Sequence, residues 1–142
     1  MFKLNRLLDS AFVLPMTLGV GVLLCGLIGS TFAAIPDEMK ALLEKQRPKE
    51  AYELGLKHPE MLGEPLFDYM FGVAAVDSGR VSLGVLALER VLLDNPGDDL
   101  ARLELARAYF SLGEYQRSRE EFNVVKRNQP PAGVVNTLNL YL

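Results

Sequence analysis

A repeat of 34 residues is the feature of this sequence that most constrains its fold. Gly79 and Gly113 are 34 residues apart, as are Pro96 and Pro130. Five further pairs, alike in size or polarity, share the offset: Phe71 with Leu105, Gly72 with Ala106, Gly84 with Ser118, Leu88 with Phe122, and Val91 with Val125. Apolar stretches of about a dozen residues, the usual length of a globular helix, separate short turn signals. The sequence therefore predicts helix–turn–helix units that stack in register.

The small residues at paired positions explain how such helices can pack. Two antiparallel helices approach closely only where side chains are small, and Gly72 and Ala106 meet that need in the first helix of each pair. Gly84 and Ser118 do so in the second helix. Glycine inside a helix costs about 1 kcal/mol relative to alanine, so a close helix contact is the expected compensation.

Turn residues predict where the helices begin and end. Gly79 and Gly113 follow the first helices, where glycine readily takes the left-handed conformation of a C-cap. Pro96 and Pro130 end the second helices, because proline lacks the amide hydrogen that would continue the helix. Asp98 or the adjacent Asp99 is expected to cap the next helix.

These residues resemble the tetratricopeptide-repeat (TPR) consensus over Pro65 to Pro130. The matches are the small residues Gly72 and Ala106, the aromatic Tyr109, the core residues Leu88 and Phe122, and the closing prolines Pro96 and Pro130. Asp68 and Arg102 replace the usual tryptophan, and Val91 and Val125 replace a common alanine, which suggests an altered angle between helices.

The resemblance implies an all-α fold, a TPR helix–turn–helix solenoid of about two and a half repeats after an N-terminal signal or hydrophobic helix. We expect a signal peptide or membrane anchor at 1–34, a degenerate capping repeat at 35–64, TPR repeats at 65–98 and 99–132, and the start of a C-terminal helix at 133–142. An apolar helix that reaches Leu142 without a polar cap indicates a truncated reading frame.

In TPR proteins the first helices line a concave groove that accepts another polypeptide, as a peptide or a helix. Carried over by register, the groove-facing residues are Leu66, Tyr69, Val73, Val76, Leu100, Leu103, Arg107 and Phe110. Arg107 could pair with a carboxylate of a partner. The basic and asparagine-rich clamp of the chaperone-binding subclass is absent from these positions, so that ligand is not expected. The alternative is that individual members of this set are buried by neighbouring helices.

The N-terminal third has the layout of an export signal. Lys3 and Arg6 precede an uncharged run from Ala11 to Ala34, which ends in small residues suited to cleavage after Ala33 or Ala34. The run is also long enough to serve as an uncleaved anchor, although it contains Pro15 and four glycines. Leu24, rather than a small residue, precedes the single cysteine at position 25, which argues against lipid attachment. We expect an exported, periplasmic protein that can associate with the outer membrane.

Charge and residue inventory exclude several classes of function. Cleavage after residue 34 removes Lys3, Arg6 and Asp9 and leaves 13 basic and 17 acidic residues, a net charge of −4. A chain of this sign lacks the basic surface that nucleic acid or anionic lipid requires, so membrane contact is expected only through the N-terminal segment or a missing C-terminal barrel. With one histidine, His58, no cysteine after cleavage and no glycine-rich phosphate loop outside the apolar run, we expect no catalytic residue, no metal and no cofactor: a protein that is not an enzyme.

The C-terminal part carries a second resemblance. The stretch from Ala101 to Phe110, Arg119-Glu120-Glu121-Phe122, and Pro130-Pro131 with Val134 and Asn136 resemble the periplasmic TPR portion of the surface lipoprotein assembly modulator family. In that family the TPR module precedes an outer-membrane barrel and helps to move proteins to the cell surface. The resemblance implies an adaptor in such an assembly system. The alternative is a stand-alone envelope scaffold for a pilus or barrel-assembly complex.

Overall fold

The computed structural model describes residues 34–141, and the regular secondary structure in this range is helical. The chain forms α1 over 34–44, followed by α2 (Pro48–Leu56), a 3₁₀ turn (Pro59–Met61), α3 (Pro65–Asp77), α4 (Val81–Asp94), α5 (Asp99–Ser111), α6 (Tyr115–Arg127) and α7 (Ala132–Tyr141). Prolines open α2 and α3, where their missing amide hydrogen is not needed.

The helices pair as successive antiparallel hairpins. Helix α3 packs mainly on α4 and α5 packs mainly on α6, while α2 contacts α3 and α4 contacts α5. Because each hairpin touches the next one along the chain, the described residues form a helical solenoid, as the 34-residue repeat predicts. The predicted all-α class is confirmed for residues 34–141.

The ends of the helices follow the predicted chemistry. Gly79 and Gly113 have positive φ angles of 85° and 79°, in the left-handed region that glycine favours. At the first of these turns, the amide of Arg80 donates to the carbonyl of Ala75 at 2.7 Å, the bond that closes a Schellman cap. Asp98 caps α5, since its carboxylate accepts hydrogen bonds from two amides of the first turn, both at 3.0 Å.

Small residues lie where the helices approach most closely, as the 34-residue pairing predicts. A Cβ atom added to Gly84 would lie 2.5 Å from Cγ2 of Val76 and 2.8 Å from the carbonyl oxygen of Gly72. One added to Gly72 would lie 2.7 Å from Cγ of Leu88. Ser118, the counterpart of Gly84 in the next hairpin, is buried. The α3–α4 hairpin therefore has no room for a side chain at this crossing.

The first hairpin makes its close contact at a position that the repeat pattern does not identify. Gly55 packs under the ring of Phe71, and a Cβ atom there would lie 2.4 Å from Cδ2 of that ring. Ala51, which the sequence places one residue out of register, is fully buried beside it in the core. The first hairpin thus docks on α3 through its own small residues.

Three hydrophobic clusters follow one another along the solenoid. The first joins α1, α2 and α3 around Met39, Phe67 and Phe71. The second joins α3, α4 and α5, and the third joins α5, α6 and α7, where Leu138 packs with Phe122 and Val125. Each cluster draws on neighbouring hairpins, so each hairpin is stabilised by its neighbours.

The residues that replace the consensus tryptophan form ion pairs inside the hairpins. Buried Asp68 accepts two hydrogen bonds from the guanidinium of Arg90, at 2.7 and 2.8 Å, and a third from the amide of Gly63 at 3.1 Å. In the next hairpin the charges are reversed, because Arg102 donates to Glu121 at 2.6 Å. A polar link between the two helices of a hairpin thus replaces the packing of an aromatic ring.

The predictions for the N-terminus fall outside this description. The signal peptide or anchor predicted over 1–34 lies beyond the described residues, apart from Ala34 at the start of the described part of α1. Among residues 34–141, no helix combines the length and the apolar character that crossing a membrane demands.

We predict that Gly84→Ala lowers the free energy of unfolding by about 1–2 kcal/mol, because the added methyl group overpacks the α3–α4 crossing by more than the helix propensity of alanine returns. Gly133→Ala is the matched control, since nothing lies within 4 Å of a Cβ atom at that helical glycine. Urea unfolding of both variants, followed by circular dichroism, measures the difference. Equal stability of the two variants would contradict the close approach.

We predict that Arg90→Leu costs about 2–4 kcal/mol, because it leaves the buried carboxylate of Asp68 without its cation. Arg119→Leu, on the exposed surface of α6, should change stability by no more than about 0.5 kcal/mol. The same urea titration gives both values. A loss for Arg90→Leu no larger than that of the control would show that the ion pair does not stabilise the hairpin.

Candidate functional site

An apolar pocket lies beside the first turns of α3 and α5. It has a volume of about 550 Å³, and most of its accessible lining is apolar. Its walls come from α1, α3, the end of α4 and the start of α5: Lys40, Pro65, Leu66, Tyr69, Met70, Val91, Asn95, Asp98 and Leu100. A pocket that draws on three hairpins exists only when the hairpins stack.

A second pocket lies near the other ends of the same helices and is polar. It has a volume of about 370 Å³ and is lined by Leu43, Gln46, Pro48, Asp77 and Arg107. Leu66, Tyr69, Val73 and Asp77 follow one another at three- or four-residue intervals, so they share one face of α3. We call this face of α3, together with the two pockets at its ends, the groove.

The structure brings together part of the residue set carried over from the TPR resemblance. Leu66, Tyr69 and Leu100 line the apolar pocket, and Arg107 lines the polar pocket. Val73 is partly buried on the α3 face between them. Leu66 and Leu100 keep 53% and 54% of their surface exposed, an unusual state for two leucines that face the same hollow.

Val76 and Leu103 are corrections to that set. Val76 is only 8% exposed because it packs in the core shared by α3, α4 and α5. Leu103 is 6% exposed and packs with Phe122 and Leu138. Both side chains turn into the solenoid, so the register of the motif assigns them to a surface that they do not reach.

Phe110 lies outside both pockets. Its ring is partly exposed and meets the rings of Tyr115 and Tyr141 edge-on, with centroids 5.3 and 5.0 Å apart. Helix α7 supplies Tyr141, which also stacks on Phe122. Phe110 therefore joins α5 to α6 and α7 and does not line the groove.

Arg107 is held by two carboxylates. It forms an ion pair with Glu104, one turn earlier on α5, and a second with Asp77 at the end of α3, at 3.2 Å. Burial raises the pKa of Glu104, and the nearby charge of Asp77 raises it further, while Arg107 opposes both effects. The guanidinium is thus already neutralised within the chain and is not free for the carboxylate of a partner.

Tyr69 supplies a neutral hydroxyl group to the groove. Burial, with the nearby carboxylates of Glu104 and Asp98, raises the pKa of Tyr69 to about 12. The phenol therefore stays protonated at physiological pH and can donate a hydrogen bond while its ring offers apolar surface.

Sequence reasoning missed two charged residues that line the groove, Lys40 and Asp77, and a third, Glu104, that pairs with the pocket residue Arg107. Asp77 continues the Leu66–Tyr69–Val73 spacing by one further turn, and Glu104 precedes Arg107 by one turn of helix. Both signals were readable from helical periodicity. Lys40 was not, because it lies in a hairpin that departs from the 34-residue register.

Between residues 34 and 141, no group of three or more histidine, cysteine, aspartate or glutamate side chains gathers as it would around a metal ion. The arrangement in the groove suits recognition of apolar and charged surface.

A different exposed apolar surface lies on α4. Leu83, Leu86 and Leu93 are 43–80% exposed, and none of them lines either pocket. Thirty-four residues later, on α6, their counterparts are Arg117, Glu120 and Arg127. Leu86, 53% exposed, is therefore a leucine matched in exposure to Leu66 and Leu100 but placed outside the groove.

Comparisons with known proteins agree with this geometry. Residues 69–133 match the family model described as tetratricopeptide repeat. The chain is similar to the Sgt2 TPR domain from Aspergillus fumigatus, with 16% sequence identity, a TM-score of 0.66, and coverage of 78% of this chain and 76% of that one. At this identity the likeness shows the fold alone. No curated protein gave a significant match to the sequence.

The family match and the structural likeness thus support the same fold. The family match falls on α3 to α6, the hairpins that carry the 34-residue repeat, and the structural likeness covers most of the chain. The resemblance to the surface lipoprotein assembly modulator family is not among these matches. The described part of the chain has the all-α fold of a TPR-like solenoid, and its residues 69–133 match the tetratricopeptide-repeat family model.

Proposed function

We propose that the groove holds a segment of another polypeptide and that the protein acts as a binding module without catalytic activity. The observation that carries this proposal is the pair of half-exposed leucines, Leu66 and Leu100, which face one pocket beside the ring of Tyr69. Exposed apolar surface in a hollow is unfavourable in water unless a ligand covers it. Concave surfaces of this kind are what stacked helical repeats offer to partners.

The polar atoms around the pocket favour a polypeptide over a purely apolar ligand. Tyr69 offers a hydroxyl group, Asn95 an amide and Lys40 an ammonium group, all at the edge of apolar surface. A small number of polar groups around an apolar floor sets the orientation of a ligand. A peptide segment can place an apolar side chain on the floor of the pocket. Its backbone can donate and accept hydrogen bonds with the polar groups at the edge.

In the cell, we propose an exported protein that works in the periplasm as an adaptor of an outer-membrane system for surface-protein or lipoprotein assembly. The basic residues, apolar run and small residues of the first 34 positions support export. The likeness of Ala101 to Phe110 and of Pro130-Pro131 to the assembly-modulator family supports the adaptor role. The groove would then hold a segment of the assembly machinery or of its cargo.

We predict that polypeptide binding depends on the exposed leucines of the groove and not on the exposed leucines of α4. Twelve-residue peptides are selected from a random phage-displayed library on the full chain, synthesised, and titrated against variants by fluorescence anisotropy. Leu100→Glu should weaken the selected peptides at least about tenfold, because it places a charge in the apolar pocket. Leu86→Glu should leave their affinity within about twofold.

Leu86→Glu is a strict control, because it changes the same residue type at the same exposure and copies the glutamate found at the α6 counterpart, Glu120. Equal losses from the two variants, or no loss from Leu100→Glu, would exclude the groove as the binding site. A selection that recovers no peptide above background would count against polypeptide binding itself.

We predict export by the first 34 residues. Alkaline phosphatase fused after Leu142 folds only in an oxidising compartment, where its disulfides form. The full-length fusion expressed in a Gram-negative host should be active, and a fusion that lacks residues 1–34 should be inactive. Equal activity of the two fusions would contradict export by this segment.

A further inference from the structure

We propose that the groove selects polypeptide segments that carry a lysine or arginine side chain, bound at the polar pocket beside Asp77, with an apolar side chain in the pocket beside Leu100. This inference rests on the proposed function and specifies the chemistry of the partner. From the sequence alone, Arg107 could pair with a carboxylate of the ligand. The structure instead favours a ligand with a positive charge.

Two helices end at the polar pocket and one begins there. Gln46 follows the end of α1, Asp77 is the last residue of α3, and Pro48 is the first residue of α2, and all three line this pocket. The unpaired carbonyl groups at a helix C-terminus carry a partial negative charge equivalent to about half an elementary charge, and the amides at an N-terminus carry a positive charge of the same size. The two C-termini outweigh the single N-terminus and favour a cation there.

The side chains at the polar pocket add to this potential. Asp77 lines the pocket, and the guanidinium of Arg107 with which it pairs is shared with a second carboxylate, that of Glu104. Asp77 accepts a single hydrogen bond of 3.2 Å among the described residues, and its side chain is 34% exposed. A carboxylate has about four acceptor positions. Asp77 can therefore accept a ligand's ammonium or guanidinium group without releasing Arg107.

The opposite end of the groove has the opposite character. Here α3 and α5 begin and α4 ends, so two partial positive charges and one partial negative charge lie beside the apolar pocket, together with the ammonium group of Lys40. The carboxylate of Asp98 is occupied there by two amides of α5. A cationic side chain is thus favoured at the Asp77 end and disfavoured at the Leu100 end, which gives the bound segment a direction.

The length of the groove sets the spacing within the ligand. Along α3, Leu66 and Asp77 are separated by a rise of about 16 Å, and along α5, Leu100 and Arg107 by about 11 Å, at 1.5 Å per residue. An extended segment covers this distance in about three to five residues at 3.3 Å each. The preferred segment therefore carries an apolar residue and a basic residue about three to five positions apart.

The test uses the groove-dependent peptides from the phage selection, that is, those weakened by Leu100→Glu. Their sequences should be enriched in lysine and arginine over the starting library and depleted in aspartate and glutamate. Asp77→Asn should weaken them by about three- to tenfold, the range of a partly exposed charge-assisted contact. The same peptide with its lysine replaced by norleucine should be insensitive to Asp77→Asn, and the loss should shrink as salt is raised.

Arg107→Gln separates electrostatic selection from a structural effect. Removal of this cation frees the carboxylate of Asp77 for the ligand, so basic peptides should bind more tightly, by about three- to tenfold, at pH 8 and low salt. Asp94→Asn, at the exposed end of α4, is the control for a carboxylate outside the groove and should change affinity by less than about twofold.

Three results would overturn the inference while leaving groove binding intact: groove-dependent peptides without basic residues, peptides enriched in acidic residues, or an Arg107→Gln variant that binds basic peptides more weakly. Peptides that bind irrespective of Leu100→Glu would instead contradict the proposed function. The two proposals thus fail by different measurements.

Discussion

The close approach of α3 and α4 at Gly84 is the contact on which the rest of the structure depends. The carbonyl of Gly72 and the side chain of Val76 occupy the space that any larger residue at position 84 would need. With the two helices this near, Leu88 reaches Gly72, and the core shared with α5 closes around Val76 and Tyr109. Each hairpin presents an apolar surface to the next one along the chain. Burial of that surface drives the hairpins to stack.

The groove is a consequence of this stacking. Helices α3 and α5 begin at the apolar end of the groove, and helices α1 and α3 end at its polar end. The apolar residues and the acidic residues of the groove lie at opposite ends of these helices. The net partial charge of the helix ends and the charges of Lys40 and Asp77 therefore have the same sign at each end, and a bound segment would meet a field that gives it a direction.

Much of the fold could be predicted from the amino-acid sequence, because the 34-residue offset records physical needs that recur in each hairpin. Glycine at positions 79 and 113 and the cap at Asp98 are local requirements, visible in a few neighbouring residues. The role of Asp68 was not visible in this way. Its partner Arg90 lies 22 residues away, and only the folded hairpin shows that the two are close enough to replace an aromatic residue.

The groove was predictable in part. The motif register identified the apolar pocket through Leu66, Tyr69 and Leu100, but it also included Val76 and Leu103, which the cores bury. Register assigns a residue to a helical face, whereas the width of the exposed strip on that face depends on how close the neighbouring helices lie. The pairing of Arg107 with Asp77 joins two hairpins, so its effect on ligand charge could not be read from either repeat alone.

Methyl NMR of the full chain with a groove-dependent selected peptide tests the central claim, that the hollow formed by the stacked first helices receives a polypeptide. Leucine methyl groups report on both surfaces, because exposed leucines lie in the groove and on α4. Addition of the peptide should shift the resonances of Leu66 and Leu100 and leave those of Leu83, Leu86 and Leu93 on α4 unchanged. Shifts confined to the α4 leucines would contradict the account.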